Sequence, residues 1–236
     1  MAKKIIDASG SKLMEKPVTP AAEGKSSEEI FQKLQRNRNI VIGLAGALIL
    51  IVGGWIGFNY YKNTQNQEAQ SLMFPAVYHF ETDSLKKALD GDGLHEGLTA
   101  IADDYGMTKA GNLANFYVGV SYLKQGKFDE AINYLKDFSS SDVLVQARAY
   151  SLIGDAYMEK NQVADAVSYY EKAANYEPNE FFTPQYLTKL AIAQEVSKNN
   201  EAAIASYNKI IETYPNSSEA ANAKKFKAKL EGLAGK

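Results

Sequence analysis

Two histidines are the residues of this sequence best suited to binding a metal or transferring a proton. His79 and His95 are separated by several helical turns of sequence, and neither belongs to a ligand spacing such as HExxH, in which two imidazoles share one helix face. The segment 90–93, Asp-Gly-Asp-Gly, has the composition of a calcium loop, but the sixth-position glycine and the later glutamate of such a loop are misplaced. We interpret the histidines as ordinary surface or half-buried residues and the acidic segment as a turn.

Motifs for phosphate binding or nucleophilic catalysis are missing from the sequence. It has no GxxxxGK[ST] loop, no GxGxxG turn and no GxSxG elbow. Asp103 and Asp104 are adjacent on a predicted helix, where consecutive side chains diverge. The chain has no cysteine, which excludes thiolate nucleophiles, cysteine-ligated zinc and a lipid anchor on an N-terminal cysteine. We therefore predict no enzymatic activity, no cofactor and no bound metal.

The charge of the chain argues against nucleic acid as a partner. Its 236 residues carry 26 Lys and Arg against 28 Asp and Glu, a formal net charge of -2. Binding to a phosphate backbone requires a basic surface. With 45% hydrophobic residues, the chain can instead form one medium-sized domain together with an anchor or tail.

One segment has the length and composition of a membrane-spanning helix. From Ile40 to Phe58 the sequence is IVIGLAGALILIVGGWIGF, a run without a charged side chain, and an apolar run of this length can cross the hydrocarbon core. Tyr60 and Tyr61 follow it, as aromatic residues do at a membrane interface. We predict a transmembrane helix over residues 40–61, with the lipid bilayer as its partner. The alternatives are a cleavable signal peptide, whose n-region would have to extend from Met1 to Asn39, and a buried core helix.

Positive charge is concentrated before this segment. Residues 20–39 contain four lysines and arginines, whereas residues 59–78 contain only Lys62. Because basic flanks stay in the cytoplasm, we predict a cytoplasmic N-terminal tail of residues 1–39, largely disordered, and a C-terminal part outside the cytoplasm.

Gly53 and Gly57 form a small-xxx-small pair within the apolar segment. Such a pair lets a second transmembrane helix approach closely, and the two glycines are candidate transmembrane helix contacts. Glycine is also simply frequent in membrane helices, an alternative that the sequence leaves open.

The residues after the apolar segment are predicted to be helical. Residues 62–111 should form a linker helix and a degenerate helical pair. Pro75 interrupts the linker helix, and we expect a kink or a break there because proline lacks a backbone donor. Apolar residues recur with the helical period from Leu94 onward, which predicts a helix that ends at Gly106.

From residue 112 the sequence repeats itself. Small residues recur at Gly119, Gly154 and Ala191, and each is followed at one constant spacing by an alanine, namely Ala131, Ala166 and Ala203. The spacing between successive units is close to the period of a tetratricopeptide repeat, which is about 34 residues. The second unit resembles that repeat most, with its signature places occupied by Tyr150, Gly154, Tyr157, Ala166, Tyr170, Ala173 and Pro178.

This pattern predicts an all-α fold, a superhelical array of tetratricopeptide helix-turn-helix repeats with one N-terminal transmembrane helix. We expect Gly154 to face Ala166 where the two helices of the second repeat cross. A single helical pair cannot bury its apolar stripe alone, so the repeats share one core and need a polar cap. The predicted repeats are residues 112–146, 147–180 and 184–216, and the predicted capping helix is residues 217–236.

One transmembrane helix followed by divergent repeats resembles the bacterial family of ancillary SecYEG translocon subunits. The resemblance covers about residues 30–236 and is strongest through NLANFYVGVSYLKQGKFDEAINYLKDF. It implies an inner-membrane protein with periplasmic repeats that binds the Sec translocon, exported chains or chaperones. The alternatives are a scaffold for cell division or outer-membrane biogenesis and, in another class, a hydrolase or enzyme accessory subunit.

In tetratricopeptide proteins the first helix of each repeat lines the concave face, which implies a set of candidate contacts. These are Phe116, Val120, Arg148, Ser151, Asp155, Gln185, Thr188 and Ile192. Phe116 and Val120 also suit packing on the preceding helix. Because they occupy the places where the carboxylate-clamp version of the fold has lysine and asparagine, we predict no binding of chaperone EEVD tails.

Overall fold

Helices account for the regular secondary structure of residue 32 and residues 35–234, the part of the chain that this computed structural model describes. The chain divides into two units, Met1–Gly57 and Phe58–Lys236. In chain order the helices are α1 (Arg38–Glu81), α2 (Leu85–Asp90), α3 (Leu98–Asp104), α4 (Lys109–Lys124), α5 (Phe128–Asp137), α6 (Val143–Glu159), α7 (Val163–Asn175), α8 (Thr183–Val196), α9 (Asn200–Thr213) and α10 (Ala220–Ala234).

The first part of α1 contains the apolar segment. Among the described residues, α1 is the one helix that is long and apolar enough to cross a membrane. Twelve large apolar side chains between Ile40 and Phe58 are exposed, so the segment is not buried by the residues that the structure describes. Gly53 and Gly57 have open space around them. The predicted tail of residues 1–39 lies almost wholly outside the described residues.

The second part of α1 continues through Pro75 to Glu81, so the break that we allowed for there does not occur. Ala69, Met73 and Ala76 are buried on both sides of the proline, in a cluster with residues of α3 and α4. Tertiary packing of this kind overrides local propensity, and it holds the helix together where proline removes one hydrogen bond.

The helix that we predicted from Leu94 begins at Leu98 instead. Leu94 is 83% exposed, in a loop organised by the carboxylate of Asp92. This carboxylate accepts hydrogen bonds from the backbone N–H groups of Leu94 at 2.9 Å and His95 at 2.7 Å. Such local bonds to an aspartate offer the backbone an alternative to helix, which explains the later start.

Each helical pair of the array turns at one residue with positive φ. These residues are Gly126 at 74°, Asn161 at 58° and Lys198 at 63°, and each follows the small residue of its repeat at the same spacing. Only glycine adopts this conformation without steric cost, and asparagine tolerates it better than most residues. The three pairs α4–α5, α6–α7 and α8–α9 therefore share one turn geometry.

The core runs through the second unit as three apolar clusters. One joins α1 to α2, α3 and α4, the next joins α4 and α5 to α6, and the last joins α6 through α10. Each cluster draws residues from more than one helical pair, as expected of repeats that share a core.

Gly154 lies where α6 crosses α7 most closely. A Cβ atom built there would lie 2.6 Å from Cε1 and 2.7 Å from Cδ1 of Tyr170. The nearest side chain is thus the Tyr170 ring, and the facing of Gly154 and Ala166 stays a prediction. Gly119 has the same role in the preceding pair, with Leu135 Cγ 2.5 Å from its would-be Cβ.

Candidate protein-interaction surface

A polar cluster joins α6, α7 and α8 at the predicted concave positions. The Asp155 carboxylate accepts hydrogen bonds from the Tyr170 hydroxyl at 2.7 Å and from Lys189 Nζ at 2.8 and 2.6 Å. Lys189 Nζ also donates to Ser151 Oγ at 3.2 Å. Burial, with the nearby charge of Asp155, raises the pKa of Tyr170, so its hydroxyl stays a donor. These groups satisfy one another and bind the second repeat to the third.

Two of the candidate contacts are buried within the array. Val120 is 8% exposed and Ser151 is 3% exposed. Val120 packs in one cluster with Ala149 and Ile153 of α6, because the first helix of the next repeat covers it. For these two residues a partner contact stays a prediction, and the folded chain leaves little of either side chain exposed.

Phe116 is half-buried, and its ring centroid lies 5.2 Å from that of Phe138. Phe138 follows α5, so Phe116 packs toward the second helix of its own repeat rather than only on the preceding helix. Thr188 is also half-buried, and its hydroxyl donates to the Pro184 carbonyl at 2.9 Å.

Three of the candidates remain exposed at the surface. They are Arg148 on α6 and Gln185 and Ile192 on α8, with Ile192 45% exposed. Their role in binding stays a prediction. The array thus leaves fewer free side chains on its first helices than the repeat pattern alone implied.

Comparison with protein families agrees with this architecture. Models described as tetratricopeptide repeat match residues 119–180 and 185–217, and one described as tetratricopeptide repeat-like domain matches residues 33–143. The chain has the fold of a tetratricopeptide repeat protein. Such arrays bind other proteins, and this tetratricopeptide chain is accordingly a protein-protein interaction scaffold. No curated protein matches it.

The role of Lys189 in joining two repeats of the tetratricopeptide array was not predicted from the sequence. The ion pair joins Lys189 on α8 to Asp155 on α6, a separation that equals the length of one repeat. A search for opposite charges one repeat apart on first helices would have found the pair. Its consequence is that Asp155, a candidate contact, already has a cation within the chain.

The two histidines meet at one carboxylate. Asp92 Oδ2 lies 3.2 Å from His79 Nε2 and 3.1 Å from His95 Nδ1. Hydrogen bonds from the backbone N–H groups of His95 and Leu94, and then from the two imidazoles, hold the pKa of Asp92 well below its usual range. Within the described residues, no group of three or more His, Asp or Glu side chains is arranged to hold a metal ion. The trio ties the end of α1 to the loop before α3.

Proposed function

We propose that this tetratricopeptide scaffold is anchored in the bacterial inner membrane and serves as an accessory of the protein-export translocon. Its N-terminus is cytoplasmic and its repeats are periplasmic, where they contact exported chains or periplasmic chaperones. The observation that carries the anchor is the apolar stretch of α1, with a mean hydropathy of 2.4 and no part of it buried.

The exposed apolar surface of this stretch supports the anchor. Burying one large aliphatic side chain is worth roughly 1.5–3 kcal/mol, and twelve large apolar side chains between Ile40 and Phe58 are exposed. A bilayer takes up such a surface on every face of the helix. The four basic residues in 20–39 against one in 59–78 support a cytoplasmic N-terminus.

The family comparison supports the pairing of anchor and repeats. The tetratricopeptide repeat-like domain that matches residues 33–143 includes the apolar stretch together with the helices that begin the array. Membrane tethering raises the effective concentration of a scaffold at a membrane partner. A translocon is such a partner, and the resemblance of residues 30–236 to ancillary translocon subunits supports this choice over other envelope assemblies.

Affinity purification from membranes tests the proposal. The full-length chain, tagged at its C-terminus and extracted in mild detergent, should recover translocon subunits. The matched control replaces residues 40–58 with an unrelated apolar helix of equal length, which keeps the tether but removes any specific contact through Gly53 and Gly57. Recovery of division or outer-membrane biogenesis proteins in place of the translocon would contradict the proposed role.

A further inference from the structure

The loops that lead from one helical pair to the next lie side by side along one edge of the array. Asn112 Nδ2 donates to the Ser139 carbonyl at 2.7 Å, and the Ser139 N–H donates to Asn112 Oδ1 at 3.0 Å. The Tyr176 hydroxyl donates to the Ser140 carbonyl at 3.1 Å. The loop after α7 shares a cavity with the loop after α9. We call these segments the loop edge: residues 103–109, 137–144, 176–182 and 213–219.

Three of the segments of the loop edge place large apolar side chains in solvent, two in loops and one in the first turn of α6. Met107 is 65% exposed, Leu144 is 45% exposed and Phe181 is 80% exposed. The three are equally spaced along the sequence, so one lies at or just before the start of each helical pair. Val143 and Phe182 add exposed apolar surface beside them, at 38% and 39%. Exposed apolar groups arranged together mark interaction sites.

The loop edge is also acidic. Lys109 is its one basic residue, whereas its acidic residues are Asp103, Asp104, Asp137, Asp142, Glu177, Glu180 and Glu219. Asp142 caps α6, where it accepts the Leu144 N–H at 2.9 Å. Asp104 and Asp137, however, end their helices, where the helix dipole disfavours negative charge. Helix stabilisation therefore accounts for Asp142 but not for Asp104 and Asp137. The turns at the opposite edge carry three lysines and no carboxylate, in residues 125–127, 160–162 and 197–199.

We propose that the loop edge binds an extended segment of another protein in the polyproline II conformation, with an apolar side chain at every third residue and basic side chains between them. A polyproline II chain has three residues per turn and advances about 3.1 Å per residue, so residues three apart share one face and lie about 9 Å from one another. The carboxylates attract the basic side chains and disfavour an anionic lipid surface. The inference rests on the proposed function for the source of the segment, a chain leaving the translocon unfolded.

The full-length protein in phosphatidylcholine nanodiscs provides the test. The probe is a fluorescein-labelled peptide of Leu-Lys-Ser triplets, about 12 residues long to span the row, titrated by fluorescence anisotropy. Leu144→Ser with Phe181→Ser should weaken binding about tenfold or more. Glu177→Lys with Glu180→Lys should weaken it similarly and reduce its salt dependence. The matched control is Val196→Ser, an apolar residue 52% exposed at the end of α8, away from the loop edge, which should leave binding unchanged.

Two further probes decide the chemistry of the partner. Peptides with Glu in place of Lys, or with Ser in place of Leu, should each bind about tenfold more weakly. Equal binding of the acidic probe, or unchanged binding by both double variants with circular dichroism showing native helix content, would overturn the proposal. Phe181→Trp in a Trp55→Phe background reports on lipid, and its quenching by brominated phosphatidylglycerol would also overturn it.

The two experiments can refute the peptide site on the loop edge and the translocon role separately. Loss of translocon co-purification with retained probe binding would refute the translocon role and leave the loop edge as a peptide site. Retained co-purification with no probe binding would refute the loop edge alone.

Discussion

Gly154→Ala tests the packing that defines the repeat. The added methyl carbon would lie 2.6 Å from Tyr170 Cε1 and 2.7 Å from Tyr170 Cδ1, whereas carbon atoms prefer about 3.5–4.0 Å. The ring cannot simply rotate away, since its hydroxyl donates to Asp155 at 2.7 Å and its side chain is buried. Either α6 and α7 must separate or this hydrogen bond must break.

The two opposing effects of the substitution can be compared. Alanine favours a helix interior over glycine by about 1 kcal/mol, which stabilises the variant. Overpacking a core costs about 1–3 kcal/mol, and a hydrogen bond to a charged group contributes roughly 1.5–3 kcal/mol. We expect a net loss of about 1 kcal/mol, which lowers the melting temperature of a domain of this size by about 2–4 °C.

Thermal unfolding of residues 58–236, followed by far-UV circular dichroism, is the assay. Gly232→Ala is the matched control, since a Cβ there meets nothing within 4 Å, and it should stabilise by up to about 1 kcal/mol. In a Tyr170→Ala background, Gly154→Ala should become neutral or stabilising because the clash is gone. An equal rise in melting temperature for the two single alanine variants would refute the reasoning.

Three further predictions follow from the same contacts and charges. Lys189→Met should lower the free energy of unfolding by about 1–3 kcal/mol, because it leaves the half-buried carboxylate of Asp155 without its cation, and Asp155→Asn with Lys189→Met should recover part of that loss in denaturant titrations. The depressed pKa of Asp92 means that its contribution to stability is present above the unfolded-state pKa of about 3.9 and is lost as pH falls below it. Asp92→Asn should therefore be less stable than the wild type at pH 7, with the difference narrowing below about pH 4. Protease added to spheroplasts should digest the repeats and spare the N-terminal tail, and digestion of the tail alone would reverse the predicted orientation.

The sequence was most informative where one physical requirement acts along consecutive residues. A bilayer demands an uninterrupted apolar run, which the segment from Ile40 to Phe58 provides. Close helix crossing demands small residues at fixed spacing, and Gly119 and Gly154 both lie against large side chains of the partner helix. The all-α tetratricopeptide fold could be predicted from these signals.

Features that depend on contacts between distant residues were not predictable in this way. α1 continues past Pro75 because α3 and α4 pack against it, and Leu94 is excluded from α3 by two hydrogen bonds to Asp92. Val120 is buried because α6 covers it. A consensus for concave positions does not describe how the next repeat packs and could not predict this burial. The candidate site was therefore predicted only in outline, as a surface on the first helices.

The apolar residues of the loop edge recur at a regular spacing in the sequence, but the repeat consensus does not include their positions. Met107, Leu144 and Phe181 are equally spaced, but they lie outside the signature places of the motif. From sequence alone, large apolar residues between helices are expected to pack in the core. Their exposure in the folded chain is what indicates a docking surface.

Site-specific photo-crosslinking in intact cells tests the central claim, that this is a membrane-anchored scaffold beside the export translocon. A photoreactive residue replaces Arg148, Gln185 or Phe181 in turn, all exposed in the second unit, and Ile153, which is 1% exposed, serves as the buried control. We predict crosslinks from the exposed positions to translocon subunits or to chains in transit, and these crosslinks should increase when export is slowed. Crosslinks only to cytoplasmic proteins, or to envelope proteins regardless of export, would contradict it.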